Sequence, residues 1–369
     1  MKFTCEKYIL QNAIVTASRA ASAKSPIPAL EGLLIEVGAG VRITGYDLKK
    51  GIYTNFPADV VSTGSIILSA KLFGDIVRSL PDGVVTIETN RDLMTTITAG
   101  NAEFSIIGSS SDDYPELPSV EDRQSISIPQ NVLRSMISET LFAVSDNESR
   151  PIYTGALFET GEGKLSVVTV DGYRLAMRRE SIEGETVESF IVPGTALSDV
   201  EKICADSEEK VRICVGAKHI SFAIGDTVLI SRRLEGEFLN YRKSIANKFA
   251  FTVLASRTEL YRVADRVSLI IDEKTKNPLR CTIRDNEIYF NCVTPLGKAE
   301  DVCAVEGCGN GLEIGFNNRY LLDAVKVAPA DKLRLCFNTG STPCIIKPAE
   351  DDNESFLYMI LPVRLRADN

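Results

Sequence analysis

A chain of 369 residues that is 44% hydrophobic and 25% charged can bury a substantial core, and its length points to two or three domains. Its net charge of -9 argues against a protein that grips phosphates over its whole surface, and no apolar stretch reaches the roughly 20 residues needed to cross a bilayer. The opening, Met1 to Lys7, lacks the apolar core and small-residue cleavage site of a secretory signal, so a cytoplasmic location is expected.

Along the chain, helix and strand patterns alternate in a fixed order. A helix is predicted over about Lys7 to Ala21, followed by alternating strands such as Arg42-Ile43-Thr44 joined by turns such as Gly38-Ala39-Gly40. A second helix, near 70–80, leads into the β-rich run Val84 to Ile87. The same order returns with a helix over Gln130 to Val144, where Leu133, Met136, Ile137, Thr140 and Leu141 recur at three and four spacing. A helix near 194–205 then leads into Lys210 to Ile213. It returns once more with Arg257 to Ile270, a helix near 317–328 and the run Lys332 to Leu335. Short alternating strands with glycine turns favour antiparallel hairpins over parallel crossovers.

The order reflects an internal repeat. Lys71-Leu72-Phe73-Gly74-Asp75-Ile76-Val77-Arg78, Thr195 to Lys202 and Arg319 to Lys326 each place Asp fifth and a base eighth, and Asp75, Asp199 and Asp323 are 124 residues apart both times. Pro28 to Ile35 and Pro151 to Phe158 agree at an offset of 123, and Asn277 to Ile283 is a fainter third copy. The fold class expected is α+β, in three repeated domains at 1–121, 125–246 and 249–369. Their boundaries fall in the Pro- and charge-rich stretches Asp112 to Gln124 and Tyr241 to Lys248.

Across the six predicted helices, eleven bases face eight acids, a net of +3, which leaves -12 for the rest of the chain. That bias suits a helical layer facing DNA, and ordinary solvated helix faces would also produce it. Catalytic constellations are missing. The single histidine, His219, sits in an alternating strand and reads as a surface or packing residue. Gly307-Cys308-Gly309-Asn310-Gly311 precedes a strand and reads as a turn, not a phosphate loop. Nine cysteines, an odd number, with Cys204, Cys214, Cys281, Cys292, Cys336 and Cys344 inside apolar runs, suggest reduced buried thiols; Cys303 and Cys308 lack the companions of a zinc site. Asp112-Asp113 and Glu350-Asp351-Asp352 read as solvated loops. No metal site and no cofactor are expected.

Several short motifs occur in order from end to end: Ser25-Pro26-Ile27-Pro28, Thr44-Gly45-Tyr46-Asp47-Leu48, Asp113-Tyr114-Pro115-Glu116-Leu117-Pro118, Val170-Asp171-Gly172-Tyr173-Arg174-Leu175-Ala176, Asn240-Tyr241-Arg242 and Met359-Ile360-Leu361-Pro362-Val363-Arg364-Leu365. In this the chain resembles the bacterial DNA polymerase III beta subunits, the sliding clamps. The resemblance implies three DNA-clamp domains, each with two helices on antiparallel sheet, and a ring formed by a head-to-tail homodimer. Twelve helices at roughly 9 Å spacing make a circle roughly 34 Å across, leaving roughly 24 Å clear once helix radii are subtracted, enough for a duplex with water. Topology would then hold the ring on DNA, which reconciles an acidic chain with that partner.

The implied role is non-catalytic: encircling duplex DNA without sequence preference and tethering the replicative polymerase, with a clamp loader and other replication and repair proteins as further partners. By resemblance, Lys24, Lys71 and Arg150 are candidate DNA contacts, although Pro151 and Ile152 stand where many relatives carry aromatic residues. A docking cleft for a short linear motif is implied at Tyr153, Val170, Gly172, Tyr173, Arg174, Leu175, Leu239, Asn317, Tyr320, Ile360, Leu361, Pro362, Val363 and Arg364. Leu239 and Ser244 depart there from the usual proline and aliphatic residue. The dimer contact would pair Lys71, Leu72 and Phe104 with Leu269 and Ile270. Two other readings compete, a repeat-built interaction scaffold without nucleic acid and a metal-dependent nuclease built on the acidic clusters.

Overall fold

The structure, a computed structural model, describes residues 1–120, 125–183, 188–272, 277–350 and 352–365. Asp351, Arg366 and the first expected domain boundary at 121–124 lie outside the described residues. Among the described residues six α-helices occur: α1 (Lys7–Ser18), α2 (Ala70–Ser79), α3 (Gln130–Ser138), α4 (Gly194–Ile203), α5 (Arg257–Ser268) and α6 (Asn318–Val327).

Side-chain oxygens start three of them. Ser69, Ser256 and Asn317 accept from the backbone N–H groups of Leu72, Glu259 and Arg319, which would otherwise lack a partner in the first turn. Each helix buries one stripe; in α1 this is Leu10, Ala13, Ile14 and Ala17. Two helices end earlier than their apolar pattern suggests. After Ser18 the amides of Arg19, Ala20 and Ala21 bond three residues back, a tightening turn rather than helix. Past Ser138, the Thr140 hydroxyl donates to the Met136 carbonyl at 2.7 Å, and the chain continues as the 3-10 turn Leu141–Ala143.

The chain parts into two compact units, Met1–Arg134 with Asp199–Arg233, and Ser135–Ser198 with Leu234–Asn369. These units cut across the sequence thirds, and the sheets give the reason. In the first unit Thr227–Arg232 pairs antiparallel with Lys50–Phe56, Ser231 opposite Lys50, within an eight-stranded sheet; a five-stranded sheet stands beside it. In the second, Phe356–Ile360 pairs with Arg174–Ser181, Ile360 opposite Arg174, within a twelve-stranded sheet. The eight- and twelve-stranded sheets therefore each run on from one sequence repeat into the next, while the five-stranded sheet stays within the first.

Helix stripes close over the sheets. Leu10, Ile14, Phe73 and Val77 pack on Ile35 and Ile43 in the first unit; Leu260, Val263, Leu321 and Val325 pack on Ile283, Phe290 and Tyr358 in the second. Each such buried side chain contributes about 1.5–3 kcal/mol of hydrophobic stabilisation. Seven of the nine cysteines are buried, and burial pushes the thiols of Cys5, Cys204 and Cys303 up to about 12; Cys308 is exposed. Gly307 and Cys308 complete the strand Gly297–Cys308, so the glycine-rich turn is narrower than expected and rests on Asn310 and Gly311, both at positive φ.

Candidate protein-docking cleft

The candidate cleft residues lie within the second unit and centre on one turn. Strands Lys164–Val170 and Arg174–Ser181 pair with Val170 opposite Leu175, and the chain reverses between them through Asp171 and Gly172. The Asp171 Oδ1 accepts from the amides of Tyr173 (2.8 Å) and Arg174 (3.0 Å), while Gly172 takes a φ of 97°, a region open to glycine at little cost. This geometry turns the Tyr173 ring outward, 61% exposed, and the Arg174 guanidinium inward, 8% exposed.

Burial of that guanidinium demands partners, and it has four. Its Nε donates to Asp171 Oδ2 at 2.9 Å and Nη1 donates to Asp323 Oδ2 on α6 at 2.7 Å. Its plane lies 4.4 Å from the Tyr320 ring centroid and 5.3 Å from that of Phe142. Tyr320 in turn stacks on Tyr173 with centroids 6.1 Å apart. Burial, with Asp171 nearby, pushes the Tyr320 phenol up, so it stays a neutral donor at ordinary pH. Asn317 is spent on capping α6 and so orients Tyr320 one turn on.

The C-terminal segment completes the wall. Leu361 donates its amide to the Tyr173 carbonyl at 2.9 Å, one step past the strand end at Ile360, and Pro362 has no amide to continue the ladder. Val363 then donates to the Gly315 carbonyl at 2.8 Å. A Cβ at Gly315 would sit 2.6 Å from Leu365 Cδ2 and 2.9 Å from the Val363 carbonyl, so this close approach requires glycine. Pro362 thus ends one strand pairing and redirects the chain along Gly315.

Below lies an apolar bed: Val170, Leu175, Met359 and Tyr241, with Phe238 and Leu361 packed against it. Tyr153 joins through an edge-to-face contact with Phe238 at 5.7 Å, and Leu239, 41% exposed, stands on the rim. Arg364 is exposed and Ser244 ends the 3-10 turn Tyr241–Ser244. The structure therefore places the expected cleft residues from Tyr153 to Val363 within one unit, with exposed Tyr173 stacked on half-buried Tyr320.

Sequence reasoning did not single out Phe142, Asp171, Phe238, Tyr241, Asp323 and Met359, which the structure places against these candidate residues. Asp323 marks the internal repeat and Asp171 belongs to the Val170–Ala176 motif, but neither pattern encodes the contact with Arg174. The remaining candidates lie elsewhere. Lys24 and Arg150 are exposed in the loops that follow the first helix of their repeats, and Lys71 and Leu72 are exposed on α2. Phe104 lies on the strand Ala102–Ile107, and Leu269, 80% exposed, caps α5 beside Ile270. His219 is half-buried in its strand, with burial and the nearby Arg232 and Lys218 holding its imidazole neutral. Among the described residues no group of three His, Cys, Asp or Glu side chains is placed to hold a metal ion, and no helix is long and apolar enough to cross a membrane.

Comparison with known proteins places this architecture. Family models of the DNA polymerase III beta subunit match the chain as its N-terminal domain over residues 1–118, its central domain over 127–240 and its C-terminal domain over 242–364. The chain belongs to the DNA polymerase III beta subunit family. Among curated beta sliding clamps, that of Bacillus subtilis is 31% identical over 378 residues, covering 99% of this chain and 100% of the relative, and that of Staphylococcus aureus is 32% identical over 376 residues, covering 99% of each. Among solved beta subunits, the Bacillus subtilis sliding clamp superposes with a TM-score of 0.95 at 30% identity, covering 99% of this chain and 100% of the other. A Pseudomonas aeruginosa clamp solved bound to griselimycin gives 0.94 at 26% identity with the same coverage. As in other beta subunits, three clamp domains of mixed helix and antiparallel sheet make up the chain.

Proposed function

We infer that the chain works as a sliding clamp: two copies close head to tail around duplex DNA in the cytoplasm, and the cleft tethers the replicative polymerase and other replication and repair proteins. As a beta subunit it confers processivity and leaves catalysis to the polymerase. A tethered polymerase rebinds its primer end instead of diffusing away, because the tether keeps its local concentration high.

The observation that carries this reading is the charge asymmetry. The six helices hold ten bases and six acids in a chain whose net charge is -9. Two of those acids, Asp199 and Asp323, are already paired with Lys50 and Arg174. Lys24, Lys71 and Arg150 would add contacts to phosphates without reading bases. Strand edges support the dimer. Among the described residues, Ala102–Ile107 is bonded along one side only, as is the first half of Gly297–Cys308. Exposed edges of this kind invite pairing, and a second copy would supply it, with Lys71, Leu72 and Phe104 meeting Leu269 and Ile270. With no phosphate loop in the sequence, loading falls to a separate ATPase.

Retention on a nicked circular plasmid at high salt, with a loader, tests the reading. Retention that disappears when the plasmid is linearised supports topological linkage, since cutting barely changes the phosphates on offer. Equal, salt-sensitive binding to both forms overturns it.

A further inference from the structure

The outer face of the second unit's sheet does not end at the cleft. Along the strand Phe356–Ile360 and its extension, Leu361, Met359 and Leu357 point to the same side, and on the neighbouring strand Leu175 and Met177 stand opposite Met359 and Leu357. Leu361 and Met359 belong to the cleft. Leu357 and Met177 instead floor a separate cavity of about 410 Å³, closed at the side by Ile345 and Phe249, with Tyr241 as the wall nearest the cleft. Leu361 lies four residue steps beyond Leu357, about 13 Å along an extended strand.

The cavity's rim is cationic. Arg179, Arg242 and Lys347 line it against a single lining carboxylate, Glu354. Two of the three cations are matched: Arg179 donates to Glu354 at 2.8 Å, and Arg242 forks onto Glu159. Lys347 is not. Its ammonium sits 6.0 Å from the Phe249 ring centroid and has no carboxylate partner among the described residues. An apolar floor beneath one unmatched ammonium suits a ligand segment that carries an apolar residue next to an acidic one.

We propose that this cavity is a second subsite for the partner peptide, taking an acidic and apolar pair about four residues away from the anchors held in the cleft. It rests on the docking reading above and extends it. The cleft would supply the common affinity for all partners, while Lys347 ranks them by the charge of their flanking sequence. An extended peptide crossing Tyr241 reaches from one floor to the other in four to five residues, at about 3.3 Å each.

Fluorescence polarisation with labelled synthetic peptides tests it. The core probe is the clamp-docking segment of the cognate replicative polymerase, and four longer probes carry Gly-Gly-Asp-Leu or Gly-Gly-Lys-Leu at one end or the other. One Asp-Leu probe should bind about tenfold tighter than the core, as expected for one new charge-assisted contact, and neither Lys-Leu probe should gain. With Lys347→Glu the gain should vanish and pass to the Lys-Leu probe at that same end, while the core probe binds as before, which also reports an intact fold. No gain from either Asp-Leu probe, or a gain that survives Lys347→Glu, overturns the second subsite and leaves the cleft standing. A core probe that fails to bind the native protein overturns the docking reading and this proposal together.

Discussion

The turn that anchors the cleft exists twice, 124 residues apart, and only the second copy is open. In the first unit Asp47 Oδ1 accepts from the amides of Lys49 and Lys50, Leu48 has a φ of 71°, and Lys50 reaches Asp199 on α4. In the second unit Asp171, Gly172, Arg174 and Asp323 repeat each of these features. What differs is the cover. In the first copy Tyr114, 7% exposed, packs with Tyr46 and donates its hydroxyl to the Thr44 carbonyl, and Leu117 lies against Gly51 so closely that a Cβ there would sit 2.8 Å from its Cδ2. In the second copy Leu175 replaces that glycine and Tyr173 replaces Lys49, leaving an aromatic surface with Leu239 exposed at its rim. A duplicated frame has been filled from within in one place and kept available in the other.

Removing the cations should separate the two sites most sharply. Arg174→Ala strands Asp171 and Asp323 and unstacks Tyr320, so denaturant melts should show a loss of about 3–5 kcal/mol, and docking of the polymerase peptide should disappear. Lys50→Ala should lower stability as well, yet leave peptide affinity unchanged; equal damage to docking from both variants would dissolve the distinction. Next in size, Tyr114→Ala should cost about 3–5 kcal/mol by emptying the first copy. Calorimetry should still find one peptide per chain, because Lys49 and Gly51 offer no aromatic or aliphatic anchor. Two peptides per chain would mean that the plug alone distinguishes the sites.

A third contrast concerns buried charge. Glu139 and Arg178 form a buried ion pair in the second unit, with Tyr358 close by, where the first repeat has Thr16 and Thr54. Burial outweighs the Arg178 charge and raises the Glu139 carboxyl from 4.5 to about 7. A carboxyl that holds its proton more tightly when folded contributes stability that is complete below the unfolded value and lost as pH rises through the folded one. Relative to Glu139→Gln, the native chain should therefore lose stability between about pH 5 and about pH 7.5 in parallel thermal melts. A difference that stays flat with pH would show the carboxyl ionised throughout. The smallest effect on stability is expected for Tyr173→Lys, which installs the first copy's residue. Its melting curve should move by less than about 0.5 kcal/mol, while peptide affinity falls about fivefold through loss of the aromatic stack.

The helices were legible in the sequence because an amphipathic stripe is a local pattern; α2, α4, α5 and α6 fall within two residues of their expected ends. The ends of α1 and α3 were not, because Thr140 hydroxyl bonding and a tightening last turn leave no mark on hydrophobic spacing. For the candidate cleft, the motifs Val170 to Ala176 and Met359 to Leu365 contain most of the wall residues. They could not reveal that Arg174 needs Asp323, 149 residues away, or that Tyr241 would become its buried bed.

By itself the sequence determined a threefold α+β repeat, an acidic chain with basic helices, and membership marks from end to end, since all three are properties of order and composition. Only the tertiary structure decided where the sheets run across repeat boundaries, which copy of a shared turn is plugged, and which buried charges find partners. Those outcomes depend on strands and side chains far apart in the chain competing for the same space, and no local pattern records who wins.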